Sequence, residues 1–152
     1  MSFLSDNTAA VCPEIMDALV KANADIAPAY GADKWSAQLD DVFSDLFEKR
    51  VTVFPVVTGT AANSIAASIM SPPYGTIFTH DQAHMEVDEC GAPEFFSGGA
   101  KLTLVDGPHG KIDPHAFETS LARYYRSVHM VEPKGLSMTQ STELGTVYTL
   151  DE

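Results

Sequence analysis

The chain has 152 residues, a net charge of −12, a hydrophobic share of 45% and a charged share of 20%. This composition is typical of one globular protein with its own core, and such an acidic surface argues against nucleic acid as a partner. No apolar run is long enough to cross a bilayer, so we expect no membrane partner. We expect no secretory signal either, and we interpret Cys12 and Cys90 as free thiols of a cytoplasmic protein.

The first third of the chain is predicted to be an irregular arm followed by helices. Apolar residues recur at helical spacing in two stretches, which begin near Pro13 and Trp35. We therefore assign residues 1–48 to an N-terminal arm with helices.

The remainder, residues 49–152, alternates between apolar β-branched runs and helical patterns. The predicted elements are strands at 51–57, 76–79 and 101–105, helices at 61–70, from His84 to Cys90 and after Pro114, and strand-like segments at 128–131, 137–140 and 147–150. This alternation favours an α/β protein with a parallel sheet.

The turn Thr58-Gly59-Thr60 joins the first predicted strand to its helix. The first amides of a helix have no internal partner and carry the positive end of its dipole, and small residues let a phosphate come close. The turn is neither a Walker loop nor a dinucleotide motif. Two interpretations stay open, an anchor for a phosphorylated ligand and an ordinary packing turn.

His80, His84 and Asp88 recur four residues apart, with Glu89 and Cys90 beside them. On a helix this spacing could bind zinc, but His80 falls at a strand end, so we predict no metal site and keep a small metal-binding domain as an alternative. His84 follows a strand at the edge where α/β sheets bind ligands. There its imidazole could stack on a flat ring or move protons, or it could be a surface or capping histidine.

Taken together, several segments resemble the pyridoxal-phosphate-dependent threonine aldolases of the aspartate-aminotransferase-like (fold type I) group, most closely the low-specificity L-threonine aldolases. The most specific are Asp88–Phe96 and Thr139–Tyr148. The other matching segments are Ser5-Asp6-Asn7, Cys12-Pro13-Glu14, Ala29–Trp35, Gly59–Ser64, Ala83-His84 and Gly110-Lys111. The resemblance implies the N-terminal part of the large domain, a mostly parallel sheet flanked by helices that is truncated at its C-terminus.

The resemblance also implies a reaction, the cleavage of L-threonine, L-allo-threonine or related β-hydroxy-α-amino acids to glycine and an aldehyde with pyridoxal 5'-phosphate as cofactor. The backbone of Gly59 and Thr60 would hold the cofactor phosphate. His84 would stack on the pyridine ring and help to move the hydroxyl proton, and Glu89 would support it.

By the same resemblance the substrate would meet residues from the N-terminal part. Ser5 would reach the substrate carboxylate. Tyr30 and Asp33 would border a site formed between two subunits of a homo-oligomer, a dimer or tetramer. In part of the wider family, a histidine stands at the position of Glu143. This chain has glutamate there, as the low-specificity branch does, so the resemblance does not imply a second functional histidine at this position.

Three functional residues of the family lie C-terminal to all matching segments: the lysine that binds the cofactor covalently, the aspartate that pairs with the pyridine nitrogen and the arginine that binds the substrate carboxylate. The lysines present here are in different contexts, at positions Lys21, Lys34, Lys49, Lys101, Lys111 and Lys134. We therefore expect the chain to be the N-terminal half of an aldolase, inactive alone. The alternative is an inactive module of the same fold that acts in binding or assembly.

Overall fold

A computed structural model describes residues 8–124 and 127–152 of the chain. The predicted substrate contact Ser5 lies outside these residues. The chain divides into two compact units, Met1–Pro55 and Val56–Glu152. Among the residues described, each helix is too short or too polar to cross a bilayer.

The described residues of the first unit, 8–55, contain two α-helices. Helix α1 spans Pro13–Ala22, and a 3-10 turn at Ser36–Gln38 leads into helix α2 at Leu39–Leu46. Pro13 occupies the first turn of α1. Amides in this turn have no acceptor within the helix, so the missing amide hydrogen of proline costs no hydrogen bond. No residue between 8 and 55 is buried, so the apolar side chains of these helices remain accessible.

The strand predicted at 51–57 is wrong, because this stretch forms no ladder with any described strand. Its amides bind side chains of α2 instead. The amide of Val51 donates to Ser44 Oγ at 3.0 Å, and the amide of Val53 donates to Asp40 Oδ1 at 2.8 Å. An apolar β-branched pattern becomes a strand only when a neighbouring strand pairs with it.

The second unit contains a three-stranded parallel sheet, which confirms the α/β class. The strands are β1 at Gly75–His80, β2 at Lys101–Val105 and β3 at Glu132–Leu136, in the order β2-β1-β3. The central strand β1 is buried along its whole length. Parallel strands need connections that cross a face of the sheet, and helices supply them here.

Four helices accompany this sheet: α3 at Gly59–Met70, α4 at His84–Val87, α5 at Ala92–Phe96 and α6 at Pro114–Tyr124. The core lies around Phe78 of β1, which is 1% exposed. Its ring meets Phe117 and Tyr124 of α6 edge-to-face, with centroids 5.3 and 5.5 Å apart. Edge-to-face rings are a favoured aromatic geometry, so α6 is firmly packed on the sheet.

The strand-like segments predicted at 128–131, 137–140 and 147–150 are wrong, and the strand in this region is β3. Pro133 and Gly135 weaken the strand pattern of β3, although an edge position tolerates proline. Glycine at position 135 lets the side chain of Met70 in α3 pack against β3, since an added Cβ would collide with it unless that side chain moved.

Candidate functional site

The loops that follow the three strands meet at the carboxyl edge of the sheet. His80, the last residue of β1, hydrogen bonds through Nε2 to the carbonyl of Gly107, which follows β2, at 2.9 Å. Thr146, which follows β3, donates to the carbonyl of His109 at 2.6 Å. Open α/β sheets bind ligands at this edge.

His80 has a structural role in this arrangement. Its Nδ1 accepts a hydrogen bond from the amide of Gln82 at 3.0 Å, so Nε2 carries the proton that is donated to Gly107. Both ring nitrogens are thus occupied by backbone groups. Within residues 8–124 and 127–152, no group of three or more His, Cys, Asp or Glu side chains is placed to hold a metal ion.

The helix predicted from His84 to Cys90 is shorter than expected, because α4 ends at Val87 and a new helix begins at Ala92. Between them Cys90 and Gly91 adopt left-handed backbone angles, with φ of 52° and 73°. Such angles end a right-handed helix. Glu89 lies within this break and is buried.

His84 lies between two carboxylates. Its Nδ1 is 2.9 Å from Oε1 of Glu143, and its Nε2 is 3.9 Å from Oε1 of Glu89. The His84 side chain is 40% exposed, whereas that of Glu89 is fully buried. The structure therefore brings together the predicted pair His84 and Glu89, and it adds Glu143, to which the sequence alone assigned no role.

Asn63 connects this histidine to helix α3. Its Nδ2 donates to Oε1 of Glu89 at 2.9 Å. The second oxygen of Glu89, Oε2, is buried without a hydrogen-bond partner in the described part of the chain. Because an unpaired buried carboxylate oxygen is unfavourable, this site suits a ligand that brings a donor. Asn63 lies in the matching segment Gly59–Ser64, but its spacing in the sequence gives no sign that it contacts Glu89.

The first turn of α3 offers unpaired amides one helical turn before Asn63. Thr58 caps the helix, its Oγ1 accepting from the amide of Ala61 at 3.1 Å. Among the described residues, the amides of Gly59 and Thr60 have no acceptor, and a Cβ added at Gly59 would meet no atom within 4 Å. An anion can therefore approach these two donors.

A tight turn presents Glu143 to His84. The amide of Gly145 donates to the carbonyl of Thr142 at 2.8 Å, which places Glu143 at the first corner of the turn. Thr142 is buried, and its hydroxyl is 2.8 Å from that of Thr146. Because Thr146 also binds the loop after β2, the turn is anchored on both sides.

Substituting Gly110 with alanine is expected to lower the free energy of unfolding by about 2–3 kcal/mol. Gly110 has a φ of 75°, and an added Cβ would lie 3.2 Å from Thr142, which holds the turn. Gly145→Ala is the matched control, since φ is 76° but open space surrounds the site. Urea unfolding followed by circular dichroism should give a loss of only about 1 kcal/mol for the control. Equal losses of unfolding free energy in the two variants would show that the left-handed backbone conformation alone, and not contact with Thr142, causes the destabilisation.

The predicted substrate contacts Tyr30 and Asp33 belong to the first unit. Tyr30 has a left-handed φ of 61° and a fully exposed side chain. Asp33 accepts hydrogen bonds from the amide and the hydroxyl of Ser36 at 2.9 and 2.6 Å. These bonds lower the pKa of Asp33 below its ordinary value of 3.8.

The sequence of the chain is similar to those of one protein family and of two individual proteins. The chain matches the model of the "Beta-eliminating lyase" family over residues 2–152. It is 43% identical over 150 residues to a "Low specificity L-threonine aldolase" of Pseudomonas aeruginosa, and 44% identical over 151 residues to one of another Pseudomonas strain. Each match covers 99% of this chain and 43% of the relative.

A solved structure of the Leishmania major threonine aldolase is also similar, with a TM-score of 0.90 and 30% identity. The match covers 99% of this chain and 43% of that protein. The chain thus spans less than half the length of the relatives that it matches.

Proposed function

Because the chain belongs to the beta-eliminating lyase family, we propose that it forms part of a pyridoxal-phosphate-dependent aldolase that cleaves threonine or allo-threonine to glycine and an aldehyde. The observation that supports this most strongly is the linked arrangement at the sheet edge. Helix α3 begins with amides that have no acceptor among the described residues, and the next turn of that helix reaches His84 through Asn63 and Glu89. Relatives named as L-threonine aldolases support the reaction class.

The residues present fit the cofactor that the family implies. The amides of Gly59 and Thr60 are donors without an acceptor in the described part of the chain, and open space beside Gly59 leaves room for a phosphate. His84 offers a partly exposed ring that can lie against an aromatic face. The buried oxygen Oε2 of Glu89 can accept a further hydrogen bond.

When bound, the pyridoxal group supplies the electron sink for breaking the bond between Cα and Cβ. The chain's own residues then have two tasks. Gly59 and Thr60 hold the phosphate by their backbone amides. His84 accepts the proton of the substrate β-hydroxyl, and Glu89 holds a negative charge close to the imidazolium that results.

We further propose that the protein is a cytoplasmic homo-oligomer in which Tyr30 and Asp33 contribute to the substrate site, together with Ser5. The fully exposed ring of Tyr30, held in a left-handed backbone conformation, is available for contact with a substrate or a second copy. Cys12 and Cys90 are exposed free thiols, which suits a reducing compartment.

Replacing Gly59 with proline is expected to weaken pyridoxal 5'-phosphate binding by about tenfold or more. Proline removes one amide donor, yet it is well tolerated at the first position of a helix. Thr58 already has the extended conformation, with φ −146° and ψ 159°, that a residue before proline prefers. The dissociation constant is measured by titration of cofactor absorbance, with inorganic phosphate as a competitor.

The control Gly59→Ala keeps the amide, and its Cβ enters open space. We expect its affinity to stay within about twofold of the unsubstituted protein, since no hydrogen bond is lost. An unchanged affinity in Gly59→Pro, or pyridoxal 5'-phosphate binding that phosphate does not oppose, would contradict the proposed cofactor site.

A further inference from the structure

We propose that Glu143 is a positioning residue that sets the tautomer of His84 and thereby leaves Nε2 as the atom that accepts the substrate proton. The mechanistic part of this inference rests on the proposed function. The structural part, the location of the imidazole proton, stands on the geometry around His84.

Among the described residues, only one ring nitrogen of His84 is within hydrogen-bond distance of a carboxylate. Nδ1 is 2.9 Å from Oε1 of Glu143, whereas Nε2 is 3.9 Å from Oε1 of Glu89. A hydrogen bond requires a separation near 3 Å. Glu89 Oε1 also already accepts from Asn63. A neutral imidazole therefore forms a hydrogen bond only with its proton on Nδ1, donated to Glu143.

The contact between His84 and Glu143 depends on the tertiary fold, because hydrogen bonds hold the backbone turn that carries Glu143. Glu143 and His84 lie 59 residues apart in the sequence. Glu143 is at the corner of a turn whose neighbours Thr142 and Thr146 hydrogen bond to each other, and Thr146 binds the carbonyl of His109. The backbone that carries the carboxylate is thus fixed at the carboxyl edge of the sheet.

This tautomer gives the ring a defined chemical role. With the proton on Nδ1, the lone pair of Nε2 is free to accept a proton. As the O–H bond of the substrate β-hydroxyl breaks, a new N–H bond forms at Nε2, and the oxygen keeps the electron pair of the broken bond. The imidazolium that results lies between the carboxylates of Glu143 and Glu89, which stabilise its charge.

The tautomer is measured by nitrogen-15 NMR of the histidine-labelled chain, because a protonated ring nitrogen and one with a lone pair have well separated shifts. In the unsubstituted protein we expect the Nδ1–H form of His84 to exceed the other by about tenfold, as a charge-assisted hydrogen bond implies. In Glu143→Ala this excess should disappear. Glu118→Ala, which removes an exposed carboxylate of α6, should leave the spectrum of His84 unchanged.

A proton found on Nε2 in the unsubstituted protein would overturn the inference without any variant. So would a His84 spectrum that Glu143→Ala does not alter. The measurement needs no cofactor or substrate, so its outcome is independent of the proposed function. If pyridoxal 5'-phosphate fails to bind while His84 carries its proton on Nδ1, the cofactor site is wrong and the positioning by Glu143 still holds.

Discussion

Replacing Phe78 with alanine is expected to lower the free energy of unfolding by about 3–5 kcal/mol, enough to unfold a marginal protein. Phe78 is 1% exposed on the central strand, and its ring meets Phe117 and Tyr124 edge-to-face. The substitution removes the buried ring and both aromatic contacts, and a well-packed core collapses only partly around the space left. Urea unfolding followed by circular dichroism measures the loss.

Phe95→Ala is the matched control for this prediction. Phe95 belongs to the same unit and also contacts another ring, that of Phe96, but it is 78% exposed. We expect a loss below about 1 kcal/mol, since exposed side chains contribute little. Similar losses for Phe78 and Phe95 would mean that the core does not lie where the structure places it.

Replacing Asn63 with alanine is expected to lower the free energy of unfolding by about 3 kcal/mol. Asn63 donates the one hydrogen bond that the described residues make to the fully buried carboxyl group of Glu89. Removing the donor leaves that group buried with both oxygens unpaired. This cost exceeds what an ordinary side-chain hydrogen bond contributes, because a buried charged group is stranded.

A double-mutant cycle separates this effect from the loss of Asn63 itself. In a Glu89→Leu background no carboxylate is left behind, so Asn63→Ala should lower the unfolding free energy by less than about 1 kcal/mol. The two backgrounds are compared by their urea midpoints. A loss of the same size in both would show that Glu89 does not depend on Asn63.

Local sequence patterns predicted part of the second unit. The strands β1 and β2 and the helices α3 and α6 are confirmed, since their apolar spacing is regular and turn residues flank them. The segment 51–57 has an equally apolar pattern, yet its amides bind side chains of α2. Periodicity reports which residues prefer an extended backbone, and it says nothing about whether a pairing partner is present.

The candidate site was predicted in part. The motifs at Asp88–Phe96 and Thr139–Tyr148 identified the resemblance to threonine aldolases, which the comparisons confirm. The roles assigned to individual site residues stay predictions. The links of His84 to Glu143 and of Glu89 to Asn63 join positions 59 and 26 residues apart. Such links depend on how the strands are ordered, and no local pattern encodes them.

The strand order β2-β1-β3 has a consequence for how the chain assembles. Pairing β1 with β2 closes a loop of about 25 residues, from Thr76 to Lys101, whereas pairing β1 with β3 closes one of about 57, from Gly75 to Glu132. The longer loop loses about 0.7 kcal/mol more chain entropy on closure. Chain entropy therefore favours formation of the β1–β2 pair before the β1–β3 pair. On that order, the sheet edge that carries both His84 and Glu143 is complete only after β3 pairs with β1.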